Sequence, residues 1–177
     1  MSADSQIEIS LVEPNDRESL IPLLEESFEG VYLRHSKRTL RDIETVRVAR
    51  INGERAGLVM LKELGKGIGY VYYIAVARRF RGQGIAGKLL DDSLERFFEL
   101  GMEDIYASVE EDNEESLRLF LSREFKKTGF GELSKKHGKI SSALLYMKMW
   151  VVPGEMLLHK DLFQKPSREA DQNQGSK

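Results

Sequence analysis

The sequence predicts a single α/β domain of the α+β type, with a mixed, mostly antiparallel central sheet flanked by helices. Two observations predict this class. Short strand-like segments joined by tight turns fill most of the first half, and apolar residues recur at helical spacing in the second half. A length of 177 residues suits one domain with a well-filled core. We place that domain at residues 1–163.

The first half predicts one helix and an antiparallel meander. Apolar residues alternate with polar ones near the start, and Pro14 then begins a helix with leucines on one face. Asn52-Gly53 is a strong hairpin turn signal. The predicted segments are a strand at 7–12, a helix from Pro14, an irregular stretch at 28–41, and strands at 46–51, 56–64 and 70–76.

The second half changes to helical spacing. Apolar residues form a helical stripe over 85–100 that Gly101 closes. Later segments are a strand at 105–109, a helix capped by Asn113 and ended by Gly129-Phe130, a lysine-rich turn at 135–139 and a last strand at 142–152. The tail 164–177 has no large apolar residue and is expected to be disordered.

Composition excludes several classes of function. The formal net charge of -2 gives no general attraction to nucleic acid or to an anionic membrane. Cysteine is absent, and the three histidines do not have metal-ligand spacing. The N-terminus lacks a signal peptide pattern, and no apolar run approaches the roughly 20 residues that span a bilayer. We expect a cytoplasmic protein without a metal, and exposed strand edges leave a homodimer open.

The chemistry is concentrated in residues 78–88, which read RRFRGQGIAGK. Glycines let the backbone approach a phosphate closely, and the helix that follows offers free N–H groups and the positive end of its dipole. Three arginines just upstream add positive charge. The segment therefore predicts a ligand with a di- or triphosphate group.

Two interpretations of this segment are weak. Gly82 to Lys88 fits the phosphate loop of nucleotide hydrolases, but Leu89 replaces the Ser or Thr that holds magnesium there. The same glycines fit G-x-G-x-x-G of dinucleotide folds. In those folds the first glycine follows its strand almost directly, whereas five residues separate Val76 from Gly82 here. A dinucleotide-binding enzyme is kept as a remote alternative.

A third interpretation accounts for more of the residues. Arg81-Gly82-Gln83-Gly84-Ile85-Ala86 resembles the R/Q-x-x-G-x-G/A signature of the GNAT superfamily, the acetyl-CoA-dependent N-acetyltransferases. The resemblance covers roughly residues 45–150. Further similar segments are the strand 73–76, the stretch 109–113, the helix 116–120 and Gly129-Phe130.

This resemblance implies a sheet that splays between its fourth and fifth strands to admit acetyl-CoA as co-substrate, with no metal. The pantetheine arm would pair with the fourth strand like an added strand, and the pyrophosphate would lie on the glycine segment. The implied cofactor-binding residues are Ile74, Ala75, Val76, Arg79, Arg81, Gly82, Gln83, Gly84, Ile85, Ala86, Gly87 and Asn113. Asn113 fits a plain helix cap equally well.

The implied reaction is direct attack of a neutral amine on the thioester in a ternary complex. Ser108 stands where many relatives have a base, and Phe120 or Phe125 stands at the position of the family's tyrosine acid. Tyr70 and Glu110 are therefore the catalytic candidates, since both lie near the expected splay. A non-catalytic acyl-CoA-binding module is the alternative function.

The resemblance also implies that the acceptor meets the first helix and the loop after it. Glu26, Glu29 and Tyr32 are the candidate residues for this contact, with Lys135 to Lys139 opposite them. Carboxylates there would attract a cationic amine, or they would form the solvated face of an amphipathic helix. A protein N-terminus, a lysine side chain and a small amine all stay open as acceptors.

Overall fold

A computed structural model of the chain describes residues 7–163 and shows a seven-stranded mixed sheet between two layers of helices. The strands are β1 (Ile7–Leu11), β2 (Thr45–Ile51), β3 (Glu54–Gly65), β4 (Ile68–Val76), β5 (Asp104–Glu110), β6 (Lys126–Thr128) and β7 (Glu155–Asp161). The helices are α1 (Ile21–Ser27), α2 (Gly30–Asp42), α3 (Ile85–Glu99), α4 (Glu114–Leu121), α5 (Phe130–His137) and α6 (Lys139–Met149). The predicted disordered tail lies outside the described residues.

The sheet order is β1-β2-β3-β4-β5-β7-β6, and every neighbouring pair is antiparallel except β4 with β5. The predicted fold class is therefore confirmed. Local turn chemistry builds the first half: Asn52 and Gly53 have φ angles of 51° and 80°, and they connect β2 to β3 as predicted. Positive φ at both central residues matches the twist of a hairpin, which explains the Asn-Gly pair.

A β-bulge interrupts β4 at Tyr72. Met60 pairs with Tyr73 and the next residue, Leu61, pairs with Val71, so Tyr72 is the extra residue. Because the bulge breaks the two-residue alternation, the rings of Tyr72 and Tyr73 lie on the same face, with centroids 5.5 Å apart.

Strands β4 and β5 separate soon after they meet. Their pairing runs only from Ile68 with Asp104 to Val71 with Ala107. Beyond this point β4 continues to Val76 and β5 to Glu110 without pairing to each other. The predicted splay is thus present, and it starts at the bulge.

Three apolar clusters hold the helices on the sheet. The largest packs α3 and α4 on one face through Leu89, Leu90 and Phe120. On the opposite face one cluster packs α1 and α2 on β2, β3 and β4, and another packs α5 and α6 beside β5 and β7. The splay opens between these last two helical groups.

Two predicted elements were wrong. The stretch 28–41, expected to be irregular, contains α2, whose buried Ser36 and Leu40 lie one helical turn apart. The apolar run 142–152, expected to be the last strand, is mostly α6. Ser142, Leu145 and Met149 are buried there at helical spacing. A short apolar run does not distinguish a strand from a helix by periodicity.

The last strand is β7 instead of the predicted segment 142–152, and the elements predicted just before it also differ from the structure. Gly129 begins α5 instead of ending a helix, and its N–H donates to Glu132 Oε2 at 3.1 Å. Residues 135–139 span the α5–α6 junction and are not a turn between strands. Within residues 7–163, no helix is long and apolar enough to cross a membrane.

Candidate active site

A cleft of about 780 Å³ follows the splay between β4 and β5 and ends at the N-terminus of α3. Its walls come from β4, the glycine segment, the end of β5 and α4. Of the predicted cofactor-binding residues, those that line it are Ile74, Ala75, Val76, Arg81, Gly82, Gly84, Ile85, Ala86, Gly87 and Asn113.

The glycine segment forms the corner where the cleft meets α3. Gly82 and Gly84 have φ angles of 74° and 75°. In this left-handed conformation a residue with a Cβ is sterically strained, whereas glycine is not. An ideal Cβ at either glycine has no neighbour within 4 Å, so the space beside the backbone is open. Gly84 caps α3, and the first-turn N–H groups lack partners within the helix. The corner therefore presents donors to an anion.

The exposed edge of β4 forms the long wall of the cleft. Ala77 N–H donates to Ala56 O at 2.9 Å, so the Ala77 backbone faces β3. Because backbone groups alternate along a strand, those of Val76 and Ile74 face away from β3, toward β5. Arg81 Nε donates to Val76 O at 3.2 Å from that side. An extended ligand can therefore pair with this edge.

Three arginines bring positive charge to the cleft: Arg81, Arg118 and Arg123. The last two lie on α4 and just after it, and neither was predicted as a cofactor residue. Arg123 also forms a two-point ion pair with Asp91, at 2.6 and 3.0 Å. Their basic character is visible in the sequence. However, only the packing of α4 brings Arg118 and Arg123 to the cleft, and the sequence alone does not indicate that packing.

Two other predicted cofactor residues lie just outside the cleft wall. Arg79 forms an exposed ion pair with Glu54 at 2.7 Å, and the Gln83 side chain donates to Arg79 O at 3.3 Å. Asn113 lines the cleft and also caps α4, because its Oδ1 accepts from Ser116 N at 3.0 Å. The cap role and a ligand contact are thus compatible at Asn113.

The two catalytic candidates lie in different environments. Glu110 is exposed at the end of β5 and lines the cleft. Tyr70 is 1% exposed, and its hydroxyl lies 2.8 Å from Ser108 Oγ. Burial raises the pKa of Tyr70, although the hydrogen bond with Ser108 opposes the rise. The Tyr70 hydroxyl therefore stays protonated at neutral pH.

The acceptor candidates are also separated. Glu26 Oε2 accepts from Arg78 N at 3.0 Å, beside the glycine segment. Glu29 is exposed where α2 begins. The Tyr32 hydroxyl donates to Glu155 Oε1 at 3.2 Å, and Glu155 pairs with Glu110 across β5 and β7. Burial and then these two carboxylates raise the pKa of Tyr32.

An aromatic group covers the splay on the face opposite α3. His35 stacks on Trp150 with ring centroids 3.6 Å apart, and Tyr72 lies on its other side at 5.8 Å. His35 Nδ1 lies 2.8 Å from the hydroxyl of Tyr73, which lines the cleft. Trp150 ends α6 with a φ of 54°, which is rare for a bulky residue. Helix α2 and the end of α6 thus meet above the opening.

Solved structures share this fold. An IAA acetyltransferase from Bacillus cereus aligns with a TM-score of 0.66 at 19% identity, over 88% of this chain and 99% of that one. The ribosomal-protein-S18-alanine N-acetyltransferase from Escherichia coli gives 0.67 at 12% identity, over 94% and 100%. A PaiA N-acetyltransferase from Thermoplasma acidophilum, solved with coenzyme A, gives 0.66 at 16%, over 88% and 99%.

The sequence itself matches the Acetyltransferase (GNAT) family over residues 17–125. This match includes the glycine segment, β4 and β5, which form the cleft. With the splayed sheet and the glycine corner at the start of α3 in place, the chain belongs to the GNAT acetyltransferase family, and it is an acyltransferase.

Proposed function

We propose that this protein transfers the acetyl group of acetyl-CoA to a primary amine by direct attack in a ternary complex. One observation carries the proposal: a single cleft joins the open N-terminus of α3 to the unpaired edge of β4. The first feature suits a pyrophosphate and the second suits an extended amide-bearing arm. Acetyl-CoA contains both groups in this order.

The proposed cofactor contacts follow the cleft from end to end. The pyrophosphate would lie on the N–H groups of Gly82 to Gly87, with Arg81, Arg118 and Arg123 beside it. The pantetheine arm would pair with Ile74 and Val76, which directs the thioester toward the bulge in β4. The backbone near the bulge would then supply donors for the oxyanion that forms when the amine attacks.

The acceptor amine would enter from the face covered by α2 and α6. A lysine amine has a pKa near 10.4 and an α-amine a pKa near 8, so a lysine needs more help to lose its proton. Glu110, which lines the cleft, is the candidate base. The E. coli neighbour is named for an alanine of ribosomal protein S18 as its acceptor. We keep a protein N-terminus, a lysine and a small amine as acceptor classes.

Calorimetric titration with acetyl-CoA of wild type, Gly84→Asp and Gly84→Asn tests the phosphate site. Asp and Asn have equal size and are the non-glycine residues that best tolerate positive φ, so the backbone strain at Gly84 should be similar in the two variants. They differ in charge. We expect Gly84→Asp to bind at least tenfold more weakly than Gly84→Asn, because a carboxylate would repel the pyrophosphate. Equal affinities for the two variants would show that no phosphate lies at this corner.

Turnover distinguishes an enzyme from a non-catalytic acyl-CoA-binding module. The absence of a polar side chain at Phe120 and Phe125 motivates this second function. The assay would measure release of the CoA thiol with an alanine-terminated peptide, a lysine peptide and a diamine. Acetyl-CoA binding without release for any of the three would favour the binding module.

A further inference from the structure

The reaction leaves a thiolate that gains a proton, and the residues at the family's usual acid position cannot supply one. Phe120 and Phe125 are 5% and 2% exposed and pack edge to face, with ring centroids 5.0 Å apart. Phe120 lies on α4 and lines the cleft, and both rings belong to the core cluster on this face of the sheet. A side chain that protonates the sulfur would therefore come from another part of the cleft.

Tyr73 is at the place where such a donor is needed. It follows the bulge at which β4 leaves β5, and this is the end of the β4 edge farthest from the glycine segment. An arm bound from Gly84 along Val76 and Ile74 would bring its terminal thioester next to Tyr73. Tyr73 lines the cleft although only 9% of its surface is exposed. Most of the Tyr73 side chain is therefore shielded from solvent.

The other two tyrosines of β4 have different hydrogen-bond partners. The Tyr72 hydroxyl donates its proton to Lys148 O at 3.3 Å. The Tyr70 hydroxyl lies beside Ser108 in the core. Tyr73 is instead paired with a ring nitrogen, His35 Nδ1, at 2.8 Å. When Nδ1 carries the ring proton, it donates to Tyr73 and leaves the tyrosine O–H free to donate to a ligand.

The surroundings of His35 keep its ring neutral and fixed. Burial, followed by the positive charges of Arg38 and Lys62, lowers the pKa of His35. Stacking on Trp150, with a second ring contact to Tyr72, fixes the plane of the His35 ring, and Thr39 Oγ1 lies 3.4 Å from Nδ1. Burial also raises the pKa of Tyr73, so its hydroxyl stays protonated at neutral pH.

We propose that Tyr73 is the catalytic acid that protonates the departing sulfur of CoA, and that His35 is a positioning residue that orients the Tyr73 hydroxyl. This inference rests on the proposed function. As the C–N bond forms and the C–S bond breaks, the electron pair of the C–S bond moves to sulfur. Sulfur takes the proton of Tyr73, and the His35 Nδ1–H stabilises the resulting tyrosinate. Water then returns a proton to Tyr73, and the amine proton passes to Glu110 and solvent.

The test compares Tyr73→Phe, His35→Ala and His35→Asn with wild type in the thiol-release assay, with saturating amine and varied acetyl-CoA. Tyr73→Phe keeps the ring and removes only the hydroxyl. General acid catalysis contributes roughly 10² to 10⁴, and thiolate is a fair leaving group, so we expect kcat to fall about 10²-fold. The KM for acetyl-CoA should change less than twofold. His35→Ala should also lower kcat, whereas the amide N–H of His35→Asn should restore most of it.

Tyr146→Phe is the matched control, because this tyrosine packs on Phe130 away from the cleft. Its kcat should equal that of wild type. An unchanged kcat in Tyr73→Phe would overturn the assignment, as would equal losses in the Ala and Asn variants of His35. If wild-type protein neither binds acetyl-CoA in calorimetry nor releases thiol, the proposed function itself fails. That result is distinct from an active enzyme that does not use Tyr73.

Discussion

Glu110 is one of the two catalytic candidates predicted from the sequence, and it lines the cleft. Glu110→Gln keeps the shape and removes the basic carboxylate. We expect a fall in kcat of about 10²-fold for a lysine peptide, since proton removal by a general base contributes roughly this much. The assay is steady-state thiol release, and the effect should be smaller for an acceptor with an α-amine.

Glu111→Gln is the control for this substitution. Glu111 is exposed next to Glu110, and its backbone N–H donates to the backbone O of Gly154, just before β7. Its charge is the same, but it does not belong to the cleft lining. Equal rates for both variants would remove Glu110 from catalysis. Tyr70→Phe tests the other sequence-based candidate, whose hydroxyl contacts Ser108.

The glycine turn before α3 was predictable because glycines ahead of a helix are a local signal. The structure adds that Gly82 and Gly84 have positive φ angles there. Tyr73 and His35 were not predicted as a pair. Their contact depends on the bulge at Tyr72, which turns Tyr73 to the face of α2. No local sequence signal marks such a bulge.

At the scale of elements, the close packing of α3 on β3 requires Gly57. A Cβ at this position would lie 2.9 Å from the backbone O of Ala75 and 3.1 Å from atoms of Ile85 and Leu89. We expect Gly57→Ala to lower the free energy of unfolding by about 1–3 kcal/mol, because the backbone must move to admit the methyl group. Urea denaturation measures the change.

Gly131→Ala is the comparison for Gly57→Ala. Gly131 lies in α5, and an added Cβ there has no neighbour within 4 Å. Alanine is the better helix former, so this variant should gain about 0.5–1 kcal/mol. A gain in stability for Gly57→Ala as well would show that α3 does not pack on β3 this closely.

Strands of the meander were easier to predict than helices α2 and α6. The meander follows from turn signals such as Asn52-Gly53 and from alternating residues, which act locally. Helix α6 was missed because its exposed side is also apolar: Ile140, Leu144 and Met147 are 81%, 50% and 70% exposed. Hydrophobicity on both sides of a helix hides its period, so only tertiary packing shows which residues are buried.

At the scale of the whole molecule, two partly buried histidines couple folding to pH. Burial is the main cause that lowers the pKa of His35 and of His137, while Asp104 opposes the shift at His137. The unfolded chain therefore binds more protons than the native state just below pH 6.5. The stability that depends on keeping these two histidines neutral is fully present above that pH. It is lost as the pH drops toward their lowered pKa values.

Urea denaturation at pH 7.5, 6.5 and 5.5 measures this dependence. Between its lowered pKa and pH 6.5, each histidine changes the free energy of unfolding by at most about 1.4 kcal/mol per pH unit. A double variant, His35→Asn with His137→Gln, should lose less stability than wild type between pH 6.5 and 5.5. His159, which lies 2.6 Å from Asp104, is unchanged in the double variant, so a difference between the two proteins is due to His35 and His137. Wild-type stability that stays constant or increases on acidification would contradict the prediction.

The short pairing of β4 with β5 also has a consequence for solubility. Past Val71 and Ala107 two strand edges face each other inside the sheet, with backbone groups directed into the gap. Natural proteins cover or interrupt such edges because an extended segment of another molecule can bind there and start aggregation. A bound pantetheine arm would occupy this gap as a substitute strand. On the proposed function, bound acetyl-CoA would also shield these backbone groups from pairing with another chain.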